Sequence, residues 1–224
     1  MTSPLFMSAA DYRESLRRYR PRVFIDGTQV ASVADEPRLM PGINAIGVTY
    51  EYARDAQHAA IARAAAQRGS GEVNRFLQIV RTTDDLIAKL EYVRLVCQET
   101  GCAMRYLTMD GLNALYQSTH RLDAEYGGEY HARFLAWLDE VQAADLTVGI
   151  AMTDAKGDRS LRPHQQSNPD AYVHVVERRA DGVVISGTKA IVTSAPYVHE
   201  LMVLPGRAMT AEDAPFAIAC AVPI

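Results

Sequence analysis

Apolar residues follow two regimes along the chain: helical spacing before about residue 145 and short strand-like runs after it. Ser8 followed by Asp11 reads as a capped helix start, with Tyr12, Leu16 and Tyr19 on one face and Pro21 ending the helix. Residues 23–30 read as a hairpin turning at Asp26-Gly27. The stretch 35–44, with Pro37, Pro41 and Gly42, is predicted as loop. From 48 to 144 the pattern is mostly helical. Tyr52, Ala53, Ala56, Ala60 and Ala64 recur at helical spacing, and Gly69-Ser70-Gly71 is a break. Thr82 to Asp85 caps a helix whose apolar stripe is Leu86, Leu90, Val93, Val96 and Cys97. Further helices are predicted over 107–116 and 130–143, the latter presenting Phe134, Leu135, Leu138 and Val141.

Strands are predicted at 172–177 and 182–186, joined by a turn over 179–182, and again at 201–204 and 217–222. The spacing therefore predicts an α+β protein, with a helical domain over residues 1–144 and a β-domain over 145–224. Ile224 directly follows an apolar run, which predicts a fragment of a longer protein or an edge that a partner covers.

Two polar, glycine-containing segments flank the strands. They are Ala151-Met152-Thr153-Asp154-Ala155-Lys156-Gly157-Asp158-Arg159-Ser160 and Gly187-Thr188-Lys189-Ala190-Ile191-Val192-Thr193-Ser194. Such segments supply backbone N–H groups, hydroxyls and cations that can hold a phosphorylated or flavin ligand against a β-layer. The composition, 48% hydrophobic and 22% charged over 224 residues, places this chemistry on an ordinary globular protein. A net charge of −4 argues against nucleic-acid binding, and Arg13, Arg17, Arg18, Arg20 and Arg22 read as the solvated face and exit of the first helix. No apolar run has the ~18–20 residues of a membrane span, and no signal-peptide pattern opens the chain. Three cysteines make no disulfide framework, so a cytoplasmic protein is expected. The six histidines show no zinc spacing, and no Walker, Rossmann or Gly-x-Ser-x-Gly motif occurs. Asp123, Glu125 and Glu129 read as a solvated loop, and Trp137 as core.

Several motifs occur in order: Tyr12-Arg13-Glu14-Ser15-Leu16, Pro41-Gly42-Ile43-Asn44, Asn74-Arg75-Phe76, Thr83-Asp84-Asp85-Leu86, Met109-Asp110-Gly111-Leu112-Asn113-Ala114, and Val176 to Gly182. Together with the two polar segments they resemble the 4-hydroxyphenylacetate 3-monooxygenase/4-hydroxybutyryl-CoA dehydratase family across the whole chain, closer in detail to the dehydratase branch. The resemblance implies an acyl-CoA dehydrogenase-like fold of N-terminal helices, a middle β-barrel and a C-terminal helical bundle, the last absent from these residues. It implies FAD, with Met152, Thr153, Asp154, Lys156, Gly157, Asp158 and Arg159 on one side of the flavin and Thr193 and Ser194 on the other. It also implies a flavin reductase that delivers reduced FAD, a small-molecule substrate, and a homo-oligomer built through the bundle.

The resemblance also exposes departures. The dehydratase branch holds a 4Fe–4S cluster partly through Cys-x-x-x-Cys, and here the first position is Cys102 but the second is Tyr106. Cys97 is out of register, so Cys97 and Cys102 are expected as small core residues, with no metal site. The hydroxylases bind their phenol through an arginine, a tyrosine and a histidine. Arg105 fits the arginine, Met109 stands at the tyrosine position with Tyr106 one turn earlier on the same face, and Ile150 stands at the histidine position. Arg105 and Tyr106 are thus the expected catalytic residues, the other reading of Arg105 being an ion pair with Asp110 or Glu99. The reading that follows is an FAD-dependent monooxygenase. The alternatives are a dehydratase/isomerase acting on a CoA ester, or an inactive truncated subunit.

Overall fold

The computed structural model describes residues 6–155 and 157–224. Contacts divide the chain into two compact units. The first takes in the chain up to Val148 together with Pro196–His199 and Ile224, and the second comprises Gly149–Ala195 and Glu200–Pro223.

The first unit is helical. Helix α1 (Ala9–Leu16) starts at Ser8, whose hydroxyl accepts from the Asp11 N–H while the Asp11 carboxylate accepts from the Ser8 N–H. Strands β1 (Phe24–Ile25) and β2 (Thr28–Gln29) pair antiparallel across Asp26 and Gly27, whose φ values of 50° and 76° make the left-handed turn that a tight hairpin requires. Helix α2 (Met40–Arg54) begins inside the stretch predicted as loop. Pro41 sits in its first turn, where no N–H is needed, and Gly42 lies so close to the Tyr197 hydroxyl that a Cβ would overlap it.

The alanine-rich run does not stay helical. Helix α3 ends at Ala62 (Ala59–Ala62), and Ala64 lies on β3 (Arg63–Ala65), paired antiparallel with β4 (Glu72–Asn74). The cause is the buried Arg75, whose guanidinium takes the carbonyls of Ile61 at 2.5 Å, Arg63 at 2.6 Å and Ala60 at 3.2 Å. Helix α4 (Thr83–Thr100) has the predicted capping box between Thr82 and Asp85 and closes on Gly101 at φ 76°. Its buried face is Tyr92 and Val96, which pack with Phe76, Ala53 and Ala62. Leu86 and Leu90 of the predicted stripe are exposed instead.

Helix α5 (Tyr106–Tyr126) runs ten residues past its predicted end, and α6 covers Tyr130–Ala143. Asp123 and Glu125 therefore lie on a helix, not a loop. The Asp123 carboxylate accepts from the N–H groups of Tyr130 and His131 and so starts α6. Among the described residues no helix is long and apolar enough to cross a membrane.

In the second unit, β5 (Val148–Ala151, its first residue still in the first unit), β8 (Glu200–Val203) and β9 (Cys220–Pro223) form one sheet in the order β5-β8-β9. Strands β6 (His174–Arg179) and β7 (Gly182–Ser186) form a separate hairpin, with a bulge between Val175 and Glu177. The residues 217–219 predicted as strand precede β9, because a short helix over Ala211–Phe216 leads directly into them. Ala151, Val173 and Val203 form the core, with Ile185, Val192, Leu201 and Val222 against it. The expected barrel is not closed among the described residues. Five short strands divided three and two cannot complete the continuous stagger that closure demands.

Candidate functional site

The two polar segments meet in the second unit. Asp154 and Lys189 form an antiparallel bridge, flanked by Ala155 N–H to Thr188 C=O at 3.1 Å and Ala190 N–H to Thr153 C=O at 2.8 Å. The Lys189 ammonium donates to Asp154 Oδ1 at 2.6 Å, Leu204 C=O at 2.7 Å and Met152 C=O at 3.0 Å. Asp154 is 3% exposed; its Oδ1 also accepts from the Val173 N–H, and its Oδ2 has no hydrogen-bond partner. Asp154 therefore shapes the segment from within it.

Farther along, Gln166 clamps the turn. Its amide oxygen accepts from the Asp158 N–H at 3.0 Å, and its NH₂ donates to the Asp158 carbonyl at 2.7 Å. A Cβ at Gly157 would overlap Gln166 Oε1, so a larger residue there would push this clamp aside. Asp158 accepts from the Ser160 N–H and hydroxyl, which hold its carboxyl below the usual range. Lys156 lies outside the described residues.

What this framework leaves available is a donor set. The hydroxyls of half-buried Thr153 and exposed Thr193 form no hydrogen bond among the described residues, and the exposed Arg159 guanidinium makes no ion pair there. Met152 is exposed. The second segment carries backbone strain at Ile191 (φ 55°) and Ser194 (φ 64°), while Gly187 at φ 131° takes a conformation that glycine adopts freely. Left-handed isoleucine is a steric outlier, and Ile191 is also 94% exposed. A cavity of about 440 Å³ lies in the same unit, lined by Ala151, Val173, Ile185, Lys189, Val192 and Leu201 among others. Thr153, Arg159 and Thr193 are not among the residues lining this cavity; their hydroxyls and guanidinium, without a hydrogen-bond or ion-pair partner among the described residues, are donors of the kind a flavin dinucleotide takes.

Arg105 lies in the first unit, 1% exposed. Its guanidinium donates to Asp145 Oδ1 at 2.9 Å, the Leu146 carbonyl at 3.1 Å and Thr49 Oγ1 at 3.3 Å, and it stacks 4.2 Å from the Tyr50 ring centroid. Its ion-pair partner is thus Asp145, in place of the expected Asp110 or Glu99; Asp110 pairs with Lys89 instead. Burial lifts the Asp145 carboxyl above its ordinary range despite the guanidinium beside it. Tyr106, the first residue of α5, is half-buried and packs on the cluster around Phe76 and Tyr92.

His199 completes the polar core of this unit. Its Nδ1 accepts from the Thr147 N–H at 2.8 Å, which leaves Nε2–H to donate to Ser15 Oγ at 2.7 Å. Burial, reinforced by the charges of Arg105 and Arg18, pushes it down to about 3.

Cys97 packs on the Phe76–Tyr92 core as expected, but Cys102 is exposed and not core. Tyr106 carries a phenol in place of a thiol, and among the described residues no group of three His, Cys, Asp or Glu side chains is arranged to hold a metal. Sequence reasoning missed Lys189, Asp145 and His199. Lys189 was visible only as part of Gly187-x-Lys189-Ala190, and nothing local marked the other two.

These features define a mixed α/β protein with a helical unit around a buried arginine and a β-unit that presents two joined polar segments. The sequence model described as "4-hydroxyphenylacetate 3-hydroxylase N terminal" matches residues 8–224, and the chain belongs to that family. It is 39% identical over 220 residues to the 4-hydroxybutyryl-CoA dehydratase/vinylacetyl-CoA-Δ-isomerase of Clostridium aminobutyricum, covering 98% of this chain and 45% of that protein. It is 24% identical to the 4-hydroxyphenylacetate 3-monooxygenase oxygenase component of Geobacillus sp. (strain PA-9), covering 95% and 44%. Among solved structures, an oxygen-tolerant archaeal 4-hydroxybutyryl-CoA dehydratase from N. maritimus superposes with TM-score 0.94 at 37% identity, over 97% of this chain and 43% of that one. The oxygenase component of 4-hydroxyphenylacetate 3-monooxygenase complexed with FAD shares the fold, at TM-score 0.80 and 21% identity, over 97% and 44%. The chain thus spans about half the length of the relatives it matches.

Proposed function

We propose that this chain carries the flavin-holding part of an enzyme of acyl-CoA dehydrogenase-like architecture. The observation that carries the reading is the joining of Met152–Arg159 to the Thr193 segment through the Asp154–Lys189 bridge, with the Thr153 and Thr193 hydroxyls and the Arg159 guanidinium unpaired among the described residues. Thr153, Thr193 and Ser194 would bind the polar edge of the flavin, Arg159 and Lys156 its phosphates, and the apolar recess would exclude water around it. When bound, reduced FAD delivered by a separate flavin reductase supplies the electrons for oxygen chemistry. The substrate of this reading is a small aromatic molecule that the enzyme hydroxylates, and the assembly is a homo-oligomer. Tyr106 would offer its phenol to the substrate, while Arg105, with its hydrogen bonds directed at Asp145, Thr49 and Leu146, would orient the chain leading into β5. Tyr106, standing where the resemblance to the dehydratase branch would put a second cysteine ligand, supports this reading.

A second reading is a dehydratase/isomerase acting on a CoA ester, favoured by the 39% identity to the Clostridium enzyme against 24% to the monooxygenase component. The two are separated by assaying the protein, with whatever further polypeptide its gene encodes, in two ways. Reduced FAD, oxygen and a panel of phenols should give a hydroxylated product. Turnover of 4-hydroxybutyryl-CoA by an anaerobic, iron-containing preparation would decide for the second reading.

A further inference from the structure

We propose that Lys189 is the positioning residue of this site, fixing the shape in which both polar segments are presented without itself touching the ligand; this rests on the flavin reading above. An ammonium has three N–H donors, and here all three are taken, by Met152 C=O, Asp154 Oδ1 and Leu204 C=O, each within 3.0 Å. No donor remains for a phosphate or a substrate.

The identity of the acceptors shows what the clasp holds. Met152 immediately follows β5 and Leu204 immediately follows β8, so one side chain ties together the exits of two neighbouring strands. The third acceptor, Asp154, belongs to the loop that departs from β5. The direction of the loop carrying Thr153, Asp158 and Arg159 is therefore set from the base of the segment carrying Thr193. Gly206 keeps the opposite side tight: a Cβ there would lie 2.9 Å from both Asp154 Oδ2 and the Met152 carbonyl. A lysine needed only to neutralise a buried carboxylate would have no use for two neutral carbonyls, and these are two of its three contacts.

The charge and the positioning roles separate in the double variant Asp154→Asn/Lys189→Met, which removes the buried pair together. Replacing a buried ion pair by neutral groups is often tolerated, whereas Lys189→Met alone strands the carboxylate. The double variant should melt near the wild-type temperature. It should nevertheless lose hydrogen-exchange protection at Ala155 and Ala190 and bind FAD at least tenfold more weakly. Wild-type protection and wild-type FAD affinity in the double variant would overturn the proposal and reduce Lys189 to a counter-charge.

A measurement on the unaltered protein guards against a variant that does not fold. With only Lys89, Lys156 and Lys189 in the chain, the Lys189 ammonium should give a slowly exchanging ¹⁵N resonance coupled to the carbonyls of Met152 and Leu204. Exchange as fast as that of an exposed lysine would show that the clasp does not exist. Loss of protection in the double variant together with no FAD binding by the wild type would sustain the clasp and sink the flavin reading.

Discussion

His199 shows how a single residue is tuned by what surrounds it. A backbone N–H from Thr147 occupies its Nδ1, so the ring is held neutral, with Nε2–H on Ser15. The Ser15 hydroxyl in turn donates to the Tyr12 carbonyl at 2.6 Å, and the Tyr12 hydroxyl donates to the Tyr197 carbonyl at 2.5 Å. Protonating His199 would place two donors face to face in a buried site. The consequence is a defined pH dependence. The ring titrates at about 3 when folded and at about 6.5 when unfolded, so below pH ~6.5 the unfolded chain takes up a proton that the folded chain refuses. Its contribution to stability is complete above about pH 6.5 and is lost as pH falls towards 3, with a slope approaching ~1.4 kcal/mol per pH unit. Asp145 has the opposite sign, since its raised carboxyl favours the folded state in the acid range. Urea unfolding between pH 4 and 7 should therefore show a steeper loss in the wild type than in His199→Gln. Parallel curves would contradict the assignment.

Elements were legible where the cause is local. The capping boxes at Ser8 and Thr82, the Asp26-Gly27 turn and the 179–182 hairpin all depend on residues within a few positions of one another, and all were read from sequence. The misreadings have distant causes. Arg75 ends α3 by drawing off its carbonyls, and Asp123 starts a helix seven residues away. In α4 the apolar pattern is broader than the buried face. Leu90 is 65% exposed, while Tyr92 is fully buried, stacks on Phe76 with ring centroids 4.5 Å apart and donates to the Thr49 carbonyl. Periodicity identifies the helix but cannot say which side the fold covers. Thermal unfolding should find Leu90→Glu within about 0.5 kcal/mol of wild type, and Tyr92→Ala destabilised by ~3 kcal/mol or more. Equal losses in the two variants would mean that α4 buries its leucine stripe after all.

At the scale of the whole molecule the chain divides into two units. The helical unit reclaims Pro196–His199 and Ile224 from the later part of the chain, a return that periodicity does not encode. The candidate flavin segments were legible as polar, glycine-containing stretches beside strands. The residue that joins them was not, because a lysine's three acceptors come from two strand exits and a loop that only the fold brings together. The relatives are about twice as long as this chain. Amide chemical-shift mapping tests the proposed FAD site directly, whatever the affinity. Titrating FAD into ¹⁵N-labelled protein should move the amides of Met152–Arg159 together with those of Thr193 and Ser194. Shifts confined to other residues, or none at millimolar FAD, would contradict the account.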